Sequence, residues 1–228
     1  MTDTYALMRA LCESKHIQRT NKHSKWRPPS ETQLDLEKSL TRAIKQFISS
    51  AKLSRHGVTM PDETAHDRLL DVTTRCLEQA VHEGKRVATG RQERGIISAA
   101  KNIAGRAVQF ISDIVDSLQD KARDILEALF GSDGPEDATI ADAEQELEDW
   151  ADSYSEGIAE NEIQMAVSET IIEEMKVMQI DLVDIILQPN ACALCVAKAS
   201  ASPVSINASE KLPTYHMGCR CEIIEHEE

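Results

Sequence analysis

Aromatic side chains are scarce in this sequence, since Trp, Tyr and Phe together make up 4% of its 228 residues. A core built mainly from Ala, Leu, Ile, Val and Met suits helix-on-helix packing better than a β-sandwich. No run approaches the ~18 consecutive apolar residues of a membrane span. The first residues lack a basic stretch followed by an apolar one, so no secretory signal is predicted. We expect a soluble protein, without membrane contact, made in a reducing compartment.

Motifs of the common enzyme classes are also missing. No G-x-S-x-G, Walker A or G-x-G-x-x-G sequence occurs. The nearest pattern is that of the zinc-dependent nucleotide deaminases, which place His-x-Glu ahead of Pro-Cys-x-x-Cys. Here His-x-Glu occurs only as His226-Glu227-Glu228, after the cysteines, and Pro189 is not adjacent to Cys192. We therefore predict no catalytic residues and no enzymatic activity.

Acidic and basic residues are unevenly distributed along the chain. Residues 1–60 carry 11 basic and 5 acidic side chains, whereas residues 131–228 carry 4 basic and 22 acidic ones. The acidic C-terminal half should repel DNA, so any DNA contact is expected only through the basic N-terminal segment, 1–30. The alternative is that both charge biases belong to solvated helix faces.

Apolar periodicity predicts helices through most of the chain. The first runs from 31 to 53, with a capping box at Ser30 and Gln33 and a stop at His56-Gly57. The second opens at Pro61-Asp62 and ends near Thr89. Helices are also predicted over 136–156 and from 158 to 187, where 180–187 could be a strand instead.

The most regular pattern lies before the break at Gly131-Ser132-Asp133-Gly134-Pro135, which marks a hinge or domain boundary. Its apolar residues recur at steps of three and four and define one seam: Ala100, Ala104, Ala107, Ile111, Ile114, Leu118, Ala122, Ile125 and Leu129. A membrane-active helix is one interpretation. A helix of a bundle is favoured, because acids and bases mix on its polar face and Trp anchors are missing.

The character of the sequence changes at Pro189, where helical periodicity stops. The predicted fold is mainly α: an N-terminal helical bundle with long amphipathic helices, then a small C-terminal zinc-bound loop and β-hairpin module (α+β). The predicted ranges are a basic segment at 1–30, a helical domain at 31–130, an acidic helical region at 131–187 and a cysteine-rich zinc module at 188–228.

Four of the six cysteines lie in this module. Cys192 and Cys195 form a C-x2-C pair, and His216, Cys219 and Cys221 follow after twenty intervening residues. Two short ligand pairs that close a long loop are typical of a tetrahedral structural zinc site. The five donors exceed four positions, and the spacing does not decide whether Cys219 or Cys221 is the fourth ligand.

A metal would also explain how so small a module folds. About forty residues with few large apolar side chains cannot offset their own chain entropy, and a structural zinc can. The alternatives are disulfides or buried thiols that only pack. Cys12 and Cys76 stand alone in helical segments and are predicted to be core residues.

These motifs resemble the phage Mu F-like head morphogenesis family of minor head proteins. The resemblance covers about 70 residues, from roughly 160 to 224: Asn161-Glu162-Ile163 before a helix, then Cys192-x2-Cys195, Pro213-x2-His216 and Cys219-Arg220-Cys221. The chain departs from the family pattern at Met217, where Pro is usual, and at Ser200-Ala201-Ser202.

The resemblance implies a structural protein of the virion, present in the host cytoplasm during assembly. It implies association with the portal, inner capsid or scaffold proteins, and a role in head assembly or genome delivery. The alternative function is a zinc-ribbon nucleic-acid-binding module. Only Lys198, Lys211 and Arg220 are basic in the module, which disfavours that alternative because phosphate contacts need Lys and Arg.

Overall fold

The computed structural model describes residues 27–89, 103–216 and 218–226. The predicted N-terminal segment up to residue 26, together with Cys12 and Ala100, therefore lies outside the described residues. The described chain is mainly helical, with two small antiparallel sheets. Within this part of the chain, no helix is both long and apolar enough to cross a bilayer.

The elements follow one another along the chain as helices interrupted by short strands. In order they are α1 (Glu31–Ser49), β1 (Lys52–Ser54), β2 (Gly57–Thr59), α2 (Glu63–Thr89), α3 (Ile103–Phe130), α4 (Ile140–Val177), β3 (Leu182–Ile186), α5 (Ala193–Ala199), β4 (Val204–Ser205), a 3₁₀ turn (Ser209–Lys211) and β5 (Glu222–Glu225). Strands β1 and β2 pair with each other, and the second sheet has the order β4-β3-β5.

Side-chain caps explain where three of the helices begin. The Ser30 hydroxyl accepts the N–H of Gln33 at 3.1 Å, and the Asp62 carboxylate accepts the N–H of Ala65 at 2.8 Å, as the sequence predicts. The first residues of α4 form a reciprocal cap between Thr139 and Asp142, which lowers the pKa of the Asp142 carboxyl through hydrogen bonds from Thr139.

The predicted end of the first helix is wrong. The helix stops at Ser49 rather than 53, and residues 52–59 form a hairpin with Ser54 opposite Gly57. Gly57 has φ of +146°, a conformation that glycine adopts readily, and it belongs to this turn instead of a helix stop. The Arg55 guanidinium lies over the Phe130 ring, 5.2 Å from its centroid.

The two helices predicted over 136–156 and 158–187 are one continuous helix, α4, followed by strand β3. Of the two alternatives for 180–187, helix or strand, the structure has a strand, Leu182–Ile186. A single helical glycine costs only about 1 kcal/mol relative to alanine, so Gly157 does not interrupt the helix. The helix ends where Gln179, at φ +62°, lets the Ile180 N–H bond the Met175 carbonyl at 3.0 Å.

The predicted seam of α3 is largely the buried face of that helix. Burial confirms Ala107, Ile111, Ile114, Leu118, Ala122 and Ile125. Ala104 is exposed and Leu129 is only half-buried, whereas Ile103 and Phe110 are buried and were missed. Ile114 and Leu118 are fully buried, which agrees with a helix that packs inside a bundle.

The described chain forms two compact units, and each combines segments that are distant in sequence. The first contains 27–35, 79–89 and the chain from 160 onwards, and the second contains 36–78 and 103–159. These units cut across the four predicted sequence ranges, because their boundaries fall inside α1, α2 and α4. Residues on both sides of the Gly131–Pro135 break belong to the second unit.

Buried polar side chains hold helices together in the first unit. The Gln33 amide donates to the Gln164 amide oxygen at 2.7 Å, and both side chains are buried. Lys85 and Glu174 form an ion pair at 3.9 Å that is mostly shielded from solvent. These two contacts join α1 and α2 to α4. A different packing of the helices would leave buried polar side chains without partners, which would cost free energy.

Gly84 lies at a point of close approach between α2 and α4 within this unit. A Cβ at this position would lie 2.7 Å from the Thr170 Cβ and 2.7 Å from the Val167 carbonyl oxygen. Gly84→Ala should therefore destabilise the protein by about 1–3 kcal/mol, although alanine is the better helix former by about 1 kcal/mol. Urea unfolding measures the change. His82→Ala, at an exposed site on the same helix, is the control and should not destabilise; a stabilising Gly84→Ala would contradict the close approach.

Candidate metal centre

Two short segments bring the predicted ligands together at the C-terminal end of the first unit. Cys192 immediately precedes α5 and Cys195 lies in its first turn, so the two thiols share one end of that helix. The second segment is a turn in which the Cys219 N–H bonds the His216 carbonyl at 3.1 Å. Gly218 occupies this turn with φ of +75°, a conformation that strongly favours glycine. Strand β5 begins directly after Cys221.

Sheet pairing fixes the position of the second segment. Strand β5 pairs antiparallel with β3, with Glu222 opposite Ile186 and Ile223 opposite Ile185. Val183 and Ile185 turn their side chains to the buried face of the sheet, where the four cysteines also lie. Because β5 pairs with β3, Cys219 and Cys221 lie in the same hydrophobic cluster as Cys192 and Cys195.

The five predicted donors are gathered within coordination distance. Cys195 is central: its sulfur is 3.8 Å from the Cys192 sulfur, 3.7 Å from the Cys219 sulfur and 3.0 Å from His216 Nε2. His216 Nε2 is also 3.3 Å from the Cys192 sulfur. Two donor groups result, Cys192–Cys195–His216 and Cys195–Cys219–Cys221, with donor atoms in each no more than 4.8 Å apart. The arrangement is compatible with a metal ion.

The four thiols are buried and none forms a disulfide. They belong to a hydrophobic cluster with side chains of α4, β3, β4 and β5, among them Met175, Val183, Val204 and Ile223. Cys76 is likewise a free, buried thiol, as predicted, but it lies in the second unit, where its thiol contacts the Leu36 carbonyl at 3.9 Å. Burial raises the pKa of the Cys76 thiol, which keeps it protonated.

Hydrogen bonding among the buried thiols shifts their pKa values in opposite directions. Hydrogen bonds from the Cys195 and Cys221 thiols lower the pKa of Cys219. The pKa of Cys195 is raised in turn, first by its hydrogen bond to Cys219. A bound cation would displace the remaining thiol protons, so metal binding should release protons and weaken as the pH falls.

A second layer of contacts surrounds the donors, and the spacing of cysteines alone does not reveal it. Arg220, between Cys219 and Cys221, donates from Nε to the Glu160 carboxylate at 2.9 Å, while its backbone N–H donates to the Gln188 side-chain oxygen. The Tyr215 hydroxyl donates to the Lys211 carbonyl at 2.7 Å, and burial raises its pKa. These contacts fix the loop that carries His216 and Cys219.

A hydrogen-bonded group of Ser202, Asp184 and His226 lies at the second sheet. Ser202 donates to one oxygen of Asp184 at 2.9 Å, and His226 Nδ1 lies 2.9 Å from the other. This order places the carboxylate between hydroxyl and imidazole, so the imidazole is not positioned to activate the hydroxyl as a nucleophile. The group therefore has the chemistry of a structural hydrogen-bond network.

Comparison of the chain with protein-family models, with curated proteins and with solved structures gave no match.

Proposed function

We propose that this protein is a non-enzymatic phage minor head protein whose C-terminal residues hold one structural zinc ion. In this proposal it associates with the portal or with inner capsid or scaffold proteins and acts in head assembly or genome delivery. Its metal ligands come from Cys192, Cys195, His216, Cys219 and Cys221.

The spacing of the donor atoms carries the zinc part of the proposal. Zn–S bonds of about 2.3 Å in a tetrahedron place two sulfurs about 3.8 Å apart. The Cys195 sulfur lies 3.8 Å and 3.7 Å from its two neighbouring sulfurs, at the separation that a shared zinc requires. These separations are far beyond the ~2.05 Å of a disulfide bond, which disfavours the disulfide alternative. Thiolate and imidazole donors are also those that zinc prefers.

Burial and donor number support a structural rather than a catalytic ion. A catalytic zinc keeps one position open for water or substrate, usually with three protein ligands. Here five donors surround the site, and the four cysteines are all buried in the hydrophobic cluster. The ion would join the Cys192–Cys195 segment to the loop before β5 and stabilise the folded state of both.

The head-protein part of the proposal depends on the sequence resemblance and on charge. The resemblance spans the segment that the structure places in one unit, including Glu160 and its partner Arg220. The excess of 22 acidic over 4 basic side chains after residue 130 disfavours a nucleic-acid-binding ribbon, because such a surface would repel phosphates.

Co-expression with the portal protein of the phage or prophage that encodes this chain tests the assignment. We expect the two proteins to co-purify, and mass spectrometry of mature heads to find a few copies per particle. The charge asymmetry of the chain predicts that this association weakens as salt concentration rises. The Val108→Asp variant, changed at an exposed site of α3, is a control for general effects of added negative charge.

Failure to find the protein in any procapsid or virion fraction would overturn the structural assignment. Salt-dependent binding to DNA by the full chain, with a steep loss of affinity between low and physiological salt, would then favour the nucleic-acid-binding function. Absence of zinc would instead overturn the metal part of the proposal, so the two parts fail independently.

A further inference from the structure

We infer that His216 and Cys219 are the second ligand pair of the metal site, and that Cys221 lies outside the coordination sphere as a thiol beside the ligand sulfurs. This inference rests on the proposed zinc site and assigns its fourth ligand. The chain spacing alone leaves Cys219 and Cys221 equivalent, whereas their surroundings differ.

Turn geometry is the first difference. His216 and Cys219 flank a four-residue turn closed by the Cys219 N–H and the His216 carbonyl at 3.1 Å. Gly218 at φ +75° supplies the conformation that the third residue of such a turn requires. The pair therefore has the same three-residue offset as Cys192 and Cys195, which lie across the start of α5. Two tight turns, each with a donor at both ends, supply four ligands.

Contacts with the central thiol are the second difference. The Cys195 sulfur contacts both ends of the turn, with His216 Nε2 at 3.0 Å and the Cys219 sulfur at 3.7 Å. His216 also contacts the Cys192 sulfur, which links the turn to the first pair. Cys221 completes the second donor group with Cys195 and Cys219, its sulfur lying within 4.8 Å of theirs. A single ion bound by both turns would therefore leave Cys221 next to the ion, close to the Cys195 and Cys219 sulfurs.

Cadmium-113 NMR of the wild-type full chain tests the assignment without any substitution. Cadmium replaces zinc at thiolate sites, and its scalar coupling to cysteine β-protons identifies each bound sulfur. We expect couplings to Cys192, Cys195 and Cys219, together with a shift of the His216 ring resonances. Coupling to the β-protons of Cys221, or a His216 ring unaffected by the ion, would overturn the assignment.

Cobalt(II) spectra of two variants provide an independent measurement. Cys221→Ala should keep the thiolate-to-cobalt charge-transfer absorbance and the four-coordinate d–d bands of the wild type, with zinc affinity reduced by no more than about 10–100-fold. Cys195→Ala should lose both spectral features. A loss of about one third of the charge-transfer absorbance in Cys221→Ala, as expected when one of three thiolates is removed, would refute the inference. If the wild type bound neither cobalt nor cadmium, the proposed zinc site itself would fail.

Discussion

Replacing Cys195 with alanine should abolish metal binding and unfold the C-terminal part of the first unit. Its sulfur is the donor common to both groups of the cluster, and the residue is fully buried beside the other three thiols. Structural zinc contributes on the order of 10 kcal/mol to small modules of this kind, which is comparable to the whole stability of a typical domain, about 5–15 kcal/mol. We expect zinc content to fall from about one ion per chain to almost none.

Hydrogen exchange shows where the loss of structure occurs. Amides of β3, α5 and β5 should lose protection in Cys195→Ala, because the thiols form part of the hydrophobic cluster that covers one face of this sheet. Amides in the buried segments of α3 should stay protected. Cys76→Ala is the matched control, since it also removes a buried thiol that forms no disulfide, and it should keep its zinc. Stoichiometric zinc and normal protection in Cys195→Ala would contradict the proposed site.

An acidic residue in place of Leu118 should unfold the second unit. Leu118 is fully buried on α3 in line with Ile111, Ile114 and Ala122. An unpaired carboxylate there must either be desolvated or take up a proton, and either event costs several kcal/mol. Leu118→Asp should therefore lose at least about 4 kcal/mol of stability, a large fraction of the 5–15 kcal/mol of a typical domain.

The same helix offers a matched control for this substitution. Val108 is 56% exposed, so Val108→Asp adds the same charge to α3 at the surface and should change stability by less than about 0.5 kcal/mol. Circular dichroism during urea unfolding compares the two variants. An unchanged midpoint for Leu118→Asp would indicate that the seam faces solvent, and would make it available for a partner.

Helix positions could be predicted from the sequence because the apolar period and the caps act locally. Ser30 and Asp62 each bond an N–H three residues ahead, so a short window contains the whole signal. The seam of α3 is a local signal as well. The predicted seam did not include Phe110, because steps of three and four follow one narrow stripe of the helix. The face that is buried in the structure is wider than this stripe.

The missed features depend on contacts that are distant in sequence. The end of α4 depends on Gln179 at positive φ, where a glycine would have marked the stop. A strand was one alternative for 180–187, but β3 is stabilised by pairing with β5, forty residues later, and no local pattern reports that register. The residues of the metal cluster were visible as motifs, but the roles of Gln188 and Glu160 depend on how the loop carrying Arg220 packs.

The discontinuous composition of the two units sets an order for folding during synthesis. All residues of the second unit have left the ribosome once position 159 emerges, so this unit can fold while the rest is still being translated. The first unit must wait, since Gln33 finds its partner Gln164 only 131 residues later, and β3 must wait for β5. Its early segments, including the end of α2 with Gly84 and Lys85, remain exposed to chaperones and proteases until the cysteine cluster closes. With the proposed zinc site, the supply of zinc at that moment would determine whether the chain folds fully or is degraded.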